Sequence, residues 1–172
     1  VILKALDNMK NCYVSGMEKL VFEEISLNGV LEESIAAYYA ALTEKGITPI
    51  ISMPEEKIIR RLDKAALSRI FANLLNNALK YSDGDLEITL EKTGEIVFAN
   101  TAASLGRVEV ERMFDRFYTV ENAGKSTGLG LSIAKWIIDA HDGTIEVLSR
   151  PDIGTRFTVT FPRKMNIVME EE

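Results

Sequence analysis

Arg69, Asn73, Asn77 and Lys80 follow one another by four, four and three positions within "LSRIFANLLNNALKYS". Those steps place them on one stripe of a helix. A stripe that only met water would ordinarily carry Glu, Lys or Gln, which form helices better than Asn. Two asparagines a turn apart, then a lysine, can instead offer amide oxygens to a hydrated Mg²⁺ and an ammonium to a phosphate. Tolerated surface residues are the competing explanation, and the stripe alone does not choose between them.

A second stretch, "KSTGLGLSIAKWIIDAHDG" at residues 125–143, opens a helix with Gly128 and Gly130. Each costs about 1 kcal/mol relative to alanine inside a helix. Free N–H groups over residues 127–131, at the positive end of the helix dipole, make an anion site. The Ser126 and Thr127 hydroxyls lie beside it, and Lys125 lies just upstream. Close packing against a neighbour is the other reason for small residues there. The spacing does not match a G-x-x-x-x-G-K-[ST] phosphate loop.

These stretches need a scaffold. In the first helix Leu67, Ile70, Phe71, Leu74, Leu75, Ala78 and Leu79 supply a core face, Asp63 an N-cap and "SDGD" a break. In the second, Ile133, Ala134, Ile137, Ile138 and Ala140 form the apolar face. Upstream, "VFEEISL" reads as a strand, Asn28 as the N-cap of a helix closed by Gly46, and "ITPIISMP" as a strand whose Pro49 suggests an edge. "EKIIRRL" reads as one more short strand. "LEITLEK" and "EIVFAN" form a hairpin through Thr93-Gly94, and "TIEVLS" and "TRFTVTFP" another through "RPDIG". A short helix is expected over residues 108–114. Hairpins mixed with separated helices favour an α/β sandwich over a doubly wound parallel sheet.

The chain begins inside a periodic pattern, Leu3, Leu6, Met9, Tyr13, Met17 and Leu20, a seam suited to a bundle helix. It reads as a fragment of something longer. The 172 residues are 47% apolar and 27% charged, ordinary values for a globular protein. A net charge of −6 with no basic stripe argues against nucleic-acid binding. Cys12 is the single cysteine, which excludes an internal disulfide and suits a reducing compartment. No apolar run is long enough for a membrane span, and no signal peptide is visible.

"NLLNNALKYS", then "MFDRFY" at 113–118, then "STGLGLSIAKWII", resembles in order the N, F and G2 boxes of the ATP-binding catalytic domain of sensor histidine kinases. That domain belongs to the gyrase, heat-shock chaperone, histidine kinase and mismatch-repair ATPase superfamily. The resemblance implies a two-layer α/β sandwich of the Bergerat type, a mixed sheet backed by helices. It places the end of the second dimerisation-domain helix at residues 1–21, the catalytic domain at 22–163 and a tail at 164–172. It also implies that ATP and Mg²⁺ bind, with Asn77 as the Mg²⁺ ligand and Asn73 facing the same phosphates. Lys80 and Tyr81 would line the phosphate and sugar side, and Arg116 would approach the γ-phosphate or the partner domain. Lys125, Ser126, Thr127, Gly128, Leu129, Gly130 and Leu131 would cradle phosphate, with a lid over residues 119–127.

One box departs from the pattern. The family's D-x-G-x-G turn, whose aspartate accepts from the adenine amino group, is replaced here by Asn100, with Ala102 and Ser104 in place of the glycines. Asparagine keeps an acceptor and adds a donor. Alanine and serine reach positive φ less cheaply than glycine, so the turn is reshaped.

His141, the one histidine, is followed by Asp142, as a phosphoacceptor commonly is by an acidic residue. Its place at the end of the glycine-opened helix, before Gly143, fits a C-cap role instead. The resemblance therefore implies a histidine kinase whose acceptor histidine lies on a dimerisation domain outside this chain. The fragment alone is expected not to autophosphorylate. Further implied are a homodimer, a response-regulator partner and a cytoplasmic location in a membrane-anchored sensor. The alternatives are a docking module that has lost ATP and a serine kinase of the anti-sigma-factor type.

Overall fold

The computed structural model describes residues 20–101, 112–115, 130–150 and 152–163. Strand β1 (Glu23–Ser26) leads into helix α1 (Leu27–Glu44), followed by β2 (Thr48–Ser52), β3 (Ile59–Leu62) and helix α2 (Lys64–Tyr81). Then come β4 (Asp85–Leu90), β5 (Glu95–Asn100), helix α3 (Gly130–Ala140), β6 (Thr144–Arg150) and β7 (Gly154–Thr160).

β1 and β3 pair antiparallel as a small sheet. The other strands form a five-stranded sheet in the order β2-β4-β5-β7-β6. Only β2 and β4 run parallel in it. This is the mixed sheet expected, and β2, with Pro49, lies at its edge. Along β4 and β5, inward Leu86, Ile88, Leu90, Ile96 and Phe98 are buried while the residues between them are more exposed. That period of two leaves one face for the helices. Phe71 of α2 meets Phe98 of β5 with ring centroids 6.0 Å apart, at the centre of a single apolar core.

Helix α2 follows its pattern closely. Asp63 caps it, Oδ1 accepting from Ala66 N at 2.8 Å, and the expected core face is buried except for Leu79, which is half-buried. On α3 the expected face is confirmed at Ala134, Ile137 and Ile138, but Ala140 is exposed in the last turn. Both hairpins form, turning on Gly94 (φ 91) and Gly154 (φ 74).

The start of α1 differs from expectation. Ser26, not Asn28, is the cap, its Oγ accepting from Gly29 N at 3.2 Å. Ser26 has the extended backbone a cap needs, whereas Asn28 lies inside the helix and turns inward. There its amide donates to Pro54 O (3.0 Å) and Glu56 O (3.2 Å) and accepts from Ile58 N (2.8 Å), pinning the β2–β3 connection. The leading seam up to residue 19, most of the expected 108–114 helix and the 164–172 tail lie outside the described residues, apart from a turn at Arg112–Asp115.

Candidate functional site

The polar stripe of α2 runs along its free side. Arg69 and Lys80 are exposed, and Asn73, Asn77 and Tyr81 are half-buried. Their neighbour Asn76 points elsewhere, its Nδ2 donating to Tyr38 Oη of α1 at 3.0 Å. Asn73 reaches the other candidate stretch: its Nδ2 donates to the Gly130 carbonyl at 3.0 Å. One hydrogen bond therefore joins the middle of the stripe to the start of the glycine-opened helix.

Gly130 bears on why that helix opens with small residues. A Cβ built there would meet no atom of the described residues within 4 Å. Packing against the described residues is therefore not what keeps this position small, and on their side there is room for a ligand. Leu131, next along, is half-buried against the core.

One turn beyond Asn73, the Asn77 amide makes no hydrogen bond among the described residues, nor does Lys80 make an ion pair. Lys80 sits in the last turn of α2, where a cation suits the negative end of the helix dipole. Burial pushes the Tyr81 phenol above its usual pKa, which keeps it protonated as a donor.

Asn100 closes the set. It ends β5 on the inward side, in step with Ile96 and Phe98, and is 7% exposed. Thr101, which follows it, is bonded to the turn just after α2: Asp83 N donates to Thr101 O at 3.0 Å. Asn100 therefore lies at the Lys80 and Tyr81 end of α2.

Asn73, Asn77, Lys80, Tyr81, Asn100, Gly130 and Leu131 are thus placed around two helices and one strand end. Arg116, Lys125, Ser126, Thr127, Gly128 and Leu129, together with the 119–127 lid, Ala102 and Ser104, lie outside the described residues. Sequence reading missed Asp85 and Thr101, because "SDGD" was legible only as a helix break.

Among the described residues no three His, Cys, Asp or Glu side chains gather as a metal cage. A cation here would rest on amide oxygens, phosphates and water. Asn77, neutral and unengaged, fits a hard ion that keeps most of its waters.

Residues 62–165, which carry α2, Asn100 and α3, match the family described as histidine kinase-, DNA gyrase B-, and HSP90-like ATPase. The chain belongs to that family. It is similar to the sensor histidine kinase YcbM of Bacillus subtilis, 30% identical over 155 residues, covering 85% of this chain and 50% of YcbM. It is also similar to the signal transduction histidine-protein kinase BaeS of Escherichia coli, 28% identical over 180 residues, covering 98% of this chain and 38% of BaeS. The chain thus spans half or less of the length of these relatives. Among solved structures, the catalytic domain of histidine kinase ThkA in a nucleotide-free form superposes with a TM-score of 0.75 at 25% identity, covering 84% of this chain and 99% of that one. The α/β sandwich is therefore the fold of a histidine kinase-like ATPase catalytic domain. Among the described residues no helix is long and apolar enough to cross a membrane.

Proposed function

We propose that this chain is the ATP-binding kinase domain of a two-component sensor histidine kinase, transferring the γ-phosphoryl group of ATP to a histidine on a dimerisation domain. The observation that carries this reading is the Asn73–Gly130 hydrogen bond, which sets the amide stripe and the open-sided helix start against one another. Family membership and sensor-kinase relatives support it.

In this reading Asn77, with Asn73 beside it, holds Mg²⁺, which neutralises phosphate charge when bound. Lys80 adds an ammonium on the phosphate side, and Arg116 approaches the γ-phosphate. The backbone N–H groups of 127–131 bind phosphate oxygens, with Lys125, Ser126 and Thr127 beside them. The protein supplies position and charge, which are the main requirements of phosphoryl transfer. The acceptor histidine, the general base beside it, homodimer formation and a response-regulator aspartate belong to the full-length protein, a membrane-anchored sensor with this domain in the cytoplasm.

A docking module without nucleotide is the second reading, favoured by Ala102 and Ser104 where the family has glycines. Calorimetric titration with ATP and ADP, with and without Mg²⁺, separates the two. It must extend to millimolar nucleotide, where the binding free energy is about −4 kcal/mol. Saturable, Mg²⁺-sensitive heat supports the kinase; its absence at that concentration leaves the docking module.

A further inference from the structure

All three polar atoms of Thr101 are engaged by the turn that follows α2. Its N–H donates to Asp85 Oδ1 at 2.8 Å and its hydroxyl donates to the same oxygen at 2.6 Å. Its carbonyl accepts from Asp83 N at 3.0 Å. The turn is itself fastened to α2: Ser82 N donates to Ala78 O at 2.9 Å, and the Ser82 hydroxyl donates to the Asp85 carbonyl and accepts from Gly84 N. From the other side the β6–β7 turn closes in. A Cβ on Gly154 would stand 2.3 Å from Asn100 O and 2.8 Å from Thr101 Cα.

Thr101 and Asp85 are exposed, so water could satisfy these groups equally well. What the bonds add is placement. They fix the Asn100–Thr101 backbone against the end of α2, while the inward Asn100 amide makes no hydrogen bond among the described residues. An amide left unengaged by the described residues can exchange water for a ligand at little cost. An amide side by side with an adenine edge can accept from the exocyclic amino group and donate to the adjacent ring nitrogen. That two-point match tolerates little displacement.

We propose that Asp85 is a positioning residue for base recognition: through Thr101 it holds the Asn100 amide where it reads an adenine edge. The proposal rests on Asn100 being the base-facing residue of the nucleotide site.

The test compares ATP with inosine triphosphate, whose base carries a carbonyl where adenine has its amino group, in calorimetric titrations of the 172-residue chain. The parent should prefer ATP. Asp85→Ala should lower that preference about tenfold, the worth of one well-made hydrogen bond. Asp85→Asn, which keeps the accepting oxygen, should retain it, as should Thr101→Ser. Thr101→Val, which keeps the N–H bond and loses the hydroxyl, should fall between and serves if Asp85→Ala does not fold. A merely structural role would weaken both nucleotides alike and leave their ratio unchanged, which overturns the proposal. So does a parent that binds ATP without preferring it. A parent that binds neither nucleotide removes the kinase reading itself.

Discussion

Asn73 on α2 donates to the carbonyl of Gly130, the first residue of α3, at 3.0 Å. The two helices that carry the candidate site are thereby held in register by a side chain of the site. Asn73→Ala removes an exposed hydrogen bond worth about 1 kcal/mol. It gains about 0.5 kcal/mol of helix propensity, so its net cost should be small, about 0.5 kcal/mol. Asn73→Asp should cost more, because it sets a carboxylate against a carbonyl and leaves no donor. Urea unfolding of the three proteins reads the order, and nucleotide titration should show the same order of weakening. Equal stability for Ala and Asp would mean that the bond does not persist in solution.

Asn77 is a different case, since nothing among the described residues engages its amide. Alanine is the better helix former, so Asn77→Ala should raise unfolding stability by about 0.5 kcal/mol. It should at the same time abolish Mg²⁺-dependent nucleotide binding. Opposite changes in stability and binding are the signature of a residue kept for a ligand. A variant that still binds Mg-ATP as the parent does would show the metal assignment to be misplaced.

The elements were largely legible because hydrophobic period and capping act locally. Asp63, the core face of α2 and the Gly94 turn are each set by residues within one turn of themselves. The Asn28 misreading shows where that stops: Ser26 and Asn28 are both good caps by type, and Asn28 is claimed by carbonyls 26 and 28 residues away. At the site, the spacing of Asn73 and Asn77 was visible as a stripe. The Asp85–Thr101 bonds span 16 residues and two separate elements, so no periodicity announces them.

Asp63 uses both carboxylate oxygens. Oδ1 caps α2 at Ala66 N, and Oδ2 accepts from Val21 N at 2.9 Å, tying the chain before β1 to the start of the candidate-site helix. Asparagine can keep the cap but has only one accepting oxygen. Asp63→Ala should therefore cost about 1 kcal/mol or more in urea unfolding. Asp63→Asn should lose much less while the Val21 amide exchanges hydrogen faster. An unchanged Val21 exchange rate in Asp63→Asn would show that the link is not formed.

Arg60 is buried and donates to three carbonyls, Phe161 O at 2.9 Å, Ile59 O at 2.8 Å and Thr93 O at 2.8 Å, clasping the small sheet to the large one. Burial, then the nearby Arg163 charge, lowers its pKa, yet a guanidinium stays charged. Lysine cannot span the fork, so Arg60→Lys should destabilise by about 2 kcal/mol. Gly94→Ala should act on the same clasp, because its φ is 91° and a Cβ would lie 2.3 Å from the guanidinium. The double variant should cost less than the sum, as residues sharing one contact do. Full additivity in urea unfolding would show that Gly94 and Arg60 do not meet.

His141 followed by Asp142 looks like a phosphoacceptor in the sequence, and the fold argues otherwise. His141 is 5% exposed, with Nδ1 donating to Ile137 O at 2.7 Å and Nε2 buried without a partner among the described residues. Phe22 and Phe161 lie 5.2 and 6.5 Å away, centroid to centroid. In-line phosphoryl transfer needs an acceptor nitrogen held close to the phosphorus, and here one nitrogen is engaged and the other is enclosed. Asp142 meanwhile takes the left-handed position (φ 57) as the chain leaves α3, and Gly143 N bonds back to Ile138 O at 2.9 Å. The pair thus ends a helix, as a C-cap does. Incubated with radiolabelled Mg-ATP, the chain alone should gain no acid-labile phosphate. Label that appears in the parent and disappears in His141→Gln would show that the helix end opens and that His141 is an acceptor after all.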